Sequence, residues 1–303
     1  MGEGTVLLRR SSLGDVVLLG SVTAVLPGPV TVVTAPEWVD VASRLRGVHR
    51  VVSWPKEAEP RDVAAAIPPG RWVDLQGSLR SARLWLAAGR WTRRIHKHGV
   101  RRRLVLLGVP VRPRPPVTAI YARTCGVVQT PTPWIDLPRS TVDTLALIPG
   151  ASRVTKRWPA DRMAAVGRAW QGRVAVLGGP GEEALCAAVA RQVPGATVVA
   201  ERGFAGTWEV LARTRLAVGN DCGLVHLAGA CGIPVVAVFG PTHPLDGFWV
   251  HRGEVVQVVN LGCRPCTLHG RDHCPLEDLA CQDVPSNEVI EAVERVQERW
   301  CVG

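Results

Sequence analysis

The chain is predicted to be an α/β protein of two Rossmann-like domains facing across a cleft, each a parallel sheet covered by helices. Three observations carry the prediction. Short apolar strands alternate with helical segments along the chain, the pattern of a parallel sheet buried on both faces. The alternation runs in two series, one starting at Thr5 and one at Leu145, each of about 150 residues, an ordinary domain length. Finally, the segment Gly219 to Pro244, GNDCGLVHLAGACGIPVVAVFGPTHP, reads with the strand before it as a βαβ unit whose polar residues gather at the strand ends. Ligands of open α/β sheets bind there, outside the carboxyl ends of the strands.

In the first series, Thr5 to Leu8 is a strand, Ser11 to Gly14 a loop and Asp15 to Leu26 a helix. Val30 to Thr34, Val51 to Trp54 and Trp72 to Leu75 read as further strands, the last followed by a basic helix from Ser78 to Ala88. Four prolines between Pro110 and Pro116 argue against regular structure, and the Pro/Thr-rich piece Thr130 to Pro138 is the linker candidate. In the second series, strand Leu145 to Ile148 runs into Pro149-Gly150-Ala151-Ser152. Pro159 suits a first helical position, where its missing N–H costs nothing. Val174 to Leu177 ends at Gly178-Gly179-Pro180; a helix follows, then strand Thr197 to Val199 and helix Thr207 to Ala212. Strand Leu216 to Val218 opens the βαβ unit, and Val235 to Phe239 is its second strand. In the final helix, Ser286 to Arg299, apolar Val289, Ile290, Val293 and Val296 recur at helical spacing. The expected domains are residues 1–138 and 139–285, with the helix of residues 286–303 packing across both.

The 303 residues are 47% hydrophobic, enough for sizeable cores. No apolar run is long enough to span a membrane. The stretch Val6 to Leu26 is interrupted by Arg9, Arg10 and Asp15 and is not followed by a clean small-residue cleavage site, so it does not read as a signal peptide. A cytoplasmic protein is expected. The net charge of +10 is unevenly placed: residues 1–145 hold 21 Lys/Arg against 10 Asp/Glu, and residues 146–303 hold 15 against 16. No acid occurs from Leu75 to Ile135, while 12 residues there are basic. Such a stretch is either a solvated arginine-rich surface or one that attracts an acidic partner: nucleic acid, anionic lipid, or a phosphorylated or carboxylated glycan.

Several residues can carry chemistry. In the βαβ turn, Gly223 lets the backbone approach an anion, and the free N–H groups of the helix start can hold a phosphate. Asp221 and His226 add directional hydrogen bonds, or serve as a turn-forming acid and a core histidine. Asp15 lies at a helix start, where a capping acid is the ordinary reading. Lys156, beside Arg157, is by itself a solvated cation. Glu182 or Glu183, after the Gly-Gly-Pro turn, can bind ribose hydroxyls or act as helix-start acids. Nine cysteines, an odd number with five scattered, do not make a disulfide framework. The other four, Cys263-x2-Cys266-x7-Cys274-x6-Cys281, suit a structural tetrahedral zinc site away from the reaction, an iron–sulfur cluster, or a set of buried unligated thiols.

Five blocks taken in order resemble the ADP-heptose:lipopolysaccharide heptosyltransferases, glycosyltransferase family 9, with the GT-B fold. They are RRSSLGDVVLLGSV (Arg9 to Val22), VDLQGSLRSA (Val73 to Ala82), PGAS with KRWP (Pro149 to Pro159), the Gly219 to Pro244 segment, and the cysteine run. The resemblance spans nearly the whole chain. It implies Asp15 as the base of an inverting transfer and Lys156 as the cation on the donor diphosphate. Ser152, Asp221, Cys222, Gly223, Leu224, His226 and Thr242 then bind the donor, with Asp221 on sugar hydroxyls and His226 orienting the diphosphate. Cys222 stands where relatives usually carry Ser or Thr, which removes a good hydroxyl donor.

The implied partners are ADP-heptose and an acidic inner-core acceptor with Kdo carboxylates and lipid A phosphates, anions that arginine suits through forked hydrogen bonding. Gln76 and Arg80 are the expected acceptor-binding residues, with Arg93, Arg94, Lys97 and Arg101 to Arg103 continuing the basic stretch. No cofactor is expected in catalysis. The expected setting is a monomer at the inner face of the inner membrane, without nucleic acid. Three alternatives stay open: a transferase of this fold with another nucleotide-sugar or glycan acceptor, a nucleotide-sugar epimerase or hydrolase, and a basic nucleic-acid-binding protein. The last finds little aromatic interleaving and no recognised nucleic-acid-binding motif to support it.

Overall fold

The structure, a computed structural model, describes residues 4–301 except 91, 97–98, 108, 110–113, 129–131, 141, 245–249 and 251. Lys97, most of the proline segment and residues 130–131 of the linker candidate therefore lie outside the described residues. The chain divides into two compact units, one of Met1–Gly99 and Pro115–Asp136, the other of Val100–Arg114 and Leu137–Gly303. Among the described residues no helix is long and apolar enough to cross a membrane.

The first unit carries β1 (Thr5–Leu8), α1 (Leu13–Val17), α2 (Gly20–Thr23), β2 (Val30–Thr34), α3 (Val39–Ser43), β3 (Val48–Ser53), α4 (Pro60–Ala65), β4 (Arg71–Asp74), α5 (Leu79–Ala87) and β5 (Thr92–Arg94). α6 (Gly99–Leu106) falls almost wholly in the segment that groups with the second unit, and α7 (Val117–Cys125) returns to the first. All five strands run parallel in the order β3-β2-β1-β4-β5. β1 and β2 are buried along their whole length, as the Val/Leu-rich runs TVLL and VTVVT favour. The single helix expected over Asp15 to Leu26 is instead two short ones. Gly20 sits where a Cβ would stand 3.1 Å from the Trp134 nitrogen and 3.2 Å from Pro133 Cα. This packing, with the Ser21 hydroxyl bonded back to the Leu18 carbonyl at 2.8 Å, accompanies the break.

The second unit has β6 (Thr144–Ile148), α8 (Ala160–Ala169), β7 (Arg173–Val176), α9 (Glu183–Ala190), β8 (Thr197–Val198), α10 (Gly203–Leu211), β9 (Thr214–Asn220), α11 (Gly223–Ala230), β10 (Val235–Phe239), β11 (Gly253–Gln257) and α12 (Ser286–Trp300). The sheet is again parallel, in the order β11-β10-β9-β6-β7-β8. α12 buries Val289, Ala292, Val293 and Val296 in the core of this unit, beside Trp158, Val236 and Val238. In both sheets the strand order reverses beside the first strand of the unit, β1 in one and β6 in the other. Those are the switch points at which a doubly wound sheet opens a crevice beyond its carboxyl ends.

Candidate active site

In the first unit, polar groups collect just beyond β1 and β4. Arg9 follows β1 directly. Its Nη1 donates to the Leu75 carbonyl at 2.7 Å, and its Nη2 pairs with Asp15 Oδ2. The Ser12 nitrogen and hydroxyl reach the same oxygen at 3.3 and 3.1 Å. Asp15 thus does cap its helix, but all these donors meet on Oδ2. The Ser12 hydrogen bonds and the shortest Arg9 contact all fall on Oδ2, and the side chain is 30% exposed. The hydroxyl of Tyr121 fixes the backbone by donating to the Asp15 carbonyl at 3.3 Å. Burial pushes the Asp15 carboxyl up, but the Arg9 guanidinium and the Ser12 donors outweigh it and hold the group below its ordinary value.

A group held low stays ionised across the neutral and mildly acid range, and it loses its charge only as pH falls below the usual carboxylate range of about 4. Arg9→Met removes the cation that favours the ionised form most. If Asp15 is the base, the acid limb of the kcat/KM profile is expected to move to higher pH in this variant. An unmoved limb would show that Arg9 does not set the ionisation.

Gln76 lies in this cluster, but its Oε1 accepts from the backbone nitrogens of Arg10 and Ser11 at 3.0 and 3.2 Å. Arg80 donates to the carbonyls of Pro55 and Lys56 and stacks 5.4 Å over the Trp54 ring. Both residues therefore fasten loops of the first unit. Asp74, which the sequence did not single out, is fully buried. Its Oδ1 accepts from Gln76 N and Gly77 N at 2.9 and 2.8 Å, and its Oδ2 from the Ser81 hydroxyl at 2.8 Å, with Arg94 Nε at 3.3 Å. It shapes the turn that carries Gln76.

In the second unit, the sites expected from sequence converge beyond β6, β9 and β10. Lys156 ends a single 3₁₀ turn, Val154–Lys156, and is 8% exposed. Its Nζ lies 2.6 Å from Asp221 Oδ2, which also accepts from the Thr242 hydroxyl at 2.8 Å. A buried ammonium needs such a partner. Buried Asn220 accepts from Trp158 N at 3.0 Å and donates to the Pro149 carbonyl at 2.7 Å. It locks the Pro149 turn and the start of α8 to the end of β9. Cys222 is the extended residue before α11, and the nitrogens of Gly223, Leu224 and Val225 belong to the first turn of that helix, where N–H groups lack intrahelical partners; those of Val225 and Leu224 are turned toward the Cys222 thiol. Burial pushes the Cys222 thiol up to about 11 against the pull of the Val225 N–H and Lys156, so the group is neutral. His226 follows, half-buried, and Ser152 is exposed after β6.

The two acids left open by the sequence separate clearly. Glu182 is 16% exposed, accepts from Gly179 N at 2.8 Å and has Arg157 Nη2 3.9 Å away. Gly150 makes room for it, since a Cβ there would collide with the Glu182 carboxylate. Glu183, itself half-buried, instead accepts from Gly181 N at 2.8 Å in an exposed hydrogen bond.

The four cysteines of the run do line one cavity, together with Thr155, Arg264 and Arg271. Yet among the described residues no three His, Cys, Asp or Glu side chains are placed to hold one metal ion. The zinc expectation therefore finds no ligand set. Cys263 is exposed and Cys281 buried; burial holds Cys281 protonated, at about 11, and the Cys274 thiol points to Asp278 Oδ1 at 3.8 Å.

The sequence model of glycosyltransferase family 9 (heptosyltransferase) matches residues 121–275. Lipopolysaccharide heptosyltransferase 1 of Pseudomonas aeruginosa PAO1 is 32% identical over 141 residues, 44% of this chain and 39% of that protein. That match thus spans well under half of the curated relative's length. Among solved structures, E. coli ADP-heptose lipopolysaccharide heptosyltransferase II superimposes with a TM-score of 0.75 at 20% identity, over 99% of this chain and 100% of the other. E. coli heptosyltransferase WaaC with ADP-2-deoxy-2-fluoro heptose gives 0.68 at 19% identity, over 96% and 99%. These likenesses establish the two-sheet α/β fold of the GT-B class.

Proposed function

Since the chain belongs to glycosyltransferase family 9, we propose that it moves heptose from ADP-heptose to an acidic lipopolysaccharide inner-core acceptor, with inversion and without a metal ion in the reaction. The observation that carries the reading is Asp15, whose Ser12 hydrogen bonds and shortest Arg9 contact all fall on Oδ2 of a side chain that is 30% exposed. That is the geometry of a base held ready for a proton. As the acceptor hydroxyl attacks the anomeric carbon, its proton passes to Asp15 Oδ1. The bond from that carbon to the phosphate oxygen breaks, and ADP leaves as an anion.

Lys156 and the first-turn N–H groups of α11 stabilise the charge that develops on the leaving diphosphate. Fixed positive charge here takes the part that a divalent cation plays elsewhere. Before the donor arrives, Asp221 neutralises Lys156; the diphosphate then takes over that role, and Asp221 and Thr242 turn to sugar hydroxyls. Ser152, Cys222, Gly223, Leu224 and His226 complete the donor site. The basic residues of the first half, Arg80 among them, favour an acceptor of carboxylates and phosphates. The protein works as a monomer in the cytoplasm at the inner face of the inner membrane, and nucleic acid is not its partner. The cysteine run supplies no group to the reaction.

The ribose hydroxyls fall to Glu182. Glu182→Gln is expected to weaken ADP about tenfold, as loss of a charged hydrogen bond does, while Glu183→Gln binds as wild type; calorimetric titration with ADP compares them. Inversion is tested by NMR of the product, whose new anomeric linkage must have the opposite configuration to the donor's. Retention would overturn the single-displacement mechanism.

A further inference from the structure

The proposed reaction leaves the cysteine run unused, yet the loop that carries it is bonded on both sides of the Lys156–Asp221 pair. On the lysine side, buried Thr155 donates from its nitrogen and its hydroxyl to the Arg271 carbonyl at 3.2 and 2.8 Å. The same hydroxyl accepts from Arg271 N at 2.9 Å. The Thr155 carbonyl accepts from Gln282 Nε2, and Arg153 Nη1 meets both Asp272 oxygens at 3.0 and 2.9 Å. Gly270, at φ +84°, lies against the lysine stem: a Cβ there would stand 2.7 Å from Lys156 Cδ and 2.8 Å from Cγ. On the aspartate side, Arg264 Nε donates to the Thr242 carbonyl at 3.0 Å, and the Thr242 hydroxyl in turn bonds Asp221. The four cysteines line a cavity together with Thr155, Arg264 and Arg271, three of the residues in these contacts.

We propose that the loop of residues 262–282 is the positioning element of the donor site, and that Thr155 is the residue through which it sets the Lys156 ammonium. The inference rests on the reading that Lys156 holds the donor diphosphate. A lysine carries its charge on a flexible four-carbon stem. A phosphate site gains from that charge only when it is already in place. Here the stem is confined by Gly270, the residue before it, Thr155, is anchored on Arg271, and its partner Asp221 is anchored through Thr242 on Arg264.

The test is a double-mutant cycle read by calorimetric titration of the full chain with ADP alone. Thr155→Val removes the hydroxyl and keeps the volume, and it is expected to weaken ADP about five- to tenfold. Thr155→Ser, which keeps the hydroxyl, restores wild-type affinity. In a Lys156→Ala background Thr155→Val adds nothing, because its effect passes through the absent ammonium. Wild-type affinity in Thr155→Val, or the same loss with and without Lys156, overturns the proposal while the diphosphate reading stands. Unchanged affinity in Lys156→Ala alone overturns that reading and this inference together. If Thr155→Val unfolds in a thermal melt, Gly270→Ala, which pushes the loop off the lysine stem, enters the same cycle with the same criteria.

Discussion

Asp15→Asn is expected to lower kcat by about two to four orders of magnitude, the usual worth of a positioned general base, while ADP affinity stays near wild type. The substitution keeps the size of the side chain and one carbonyl oxygen for the Ser12 nitrogen and hydroxyl, so the helix start survives. What it removes is the ionised oxygen that takes the acceptor proton. It also removes the negative charge that Arg9 pairs with, but Arg9 keeps its bond to the Leu75 carbonyl at 2.7 Å and remains anchored. A thermal melt close to wild type with kcat collapsed would separate chemistry from folding. A variant that turns over within a few-fold of wild type would remove Asp15 from the reaction and leave it a helix cap.

Lys156→Ala is expected to cost about two to three orders of magnitude in kcat/KM, of the size seen when one donor to a developing anion is deleted. The loss has two parts. Part is weaker binding of the diphosphate, read with ADP alone. The rest appears only in kcat, because negative charge on the bridging oxygen grows as the glycosidic bond to phosphate breaks. The variant also leaves Asp221 without its cation, at a side chain only 17% exposed, so a lower melting temperature is expected too. Lys156→Ala/Asp221→Asn removes both charges and is expected to recover stability but not turnover. Recovery of turnover in the double variant would make the pair a structural salt bridge alone.

The parts of the fold legible in the sequence are those where one local signal decides the structure. β1, β2, β6 and β10 are short, mostly apolar runs buried throughout, and Gly223 marks the start of α11 after β9. β5 and β11 escaped because Thr92–Arg94 is a short edge strand with two exposed arginines and Gly253–Gln257 a half-buried one. Neither carries an apolar run. The break between α1 and α2 depends on residues 133–134 packing on Gly20, a tertiary contact that no window of helical residues contains.

The site shows the same division. Asp15, Lys156, Asp221 and Thr242 stand in the loops and helix starts that follow legible strands, so their placement could be anticipated. Asp74 could not, because its partners are backbone N–H groups and a serine seven residues on. The different settings of Glu182 and Glu183 depend on the space left by Gly150, which lies in a different loop, after β6. The cysteine spacing suggested a metal, whereas the structure ties that loop to Thr155 and Thr242 and assembles no ligand set among the described residues.

The most direct measurement is transfer of labelled heptose from ADP-heptose to Kdo-lipid A by the purified chain in excess EDTA. The account predicts a heptosylated product at a rate that EDTA does not change and that Asp15→Ala abolishes. ADP-heptose that binds but is never transferred would contradict the acceptor. ADP-heptose that does not bind at all would contradict the donor site on which the whole reading stands.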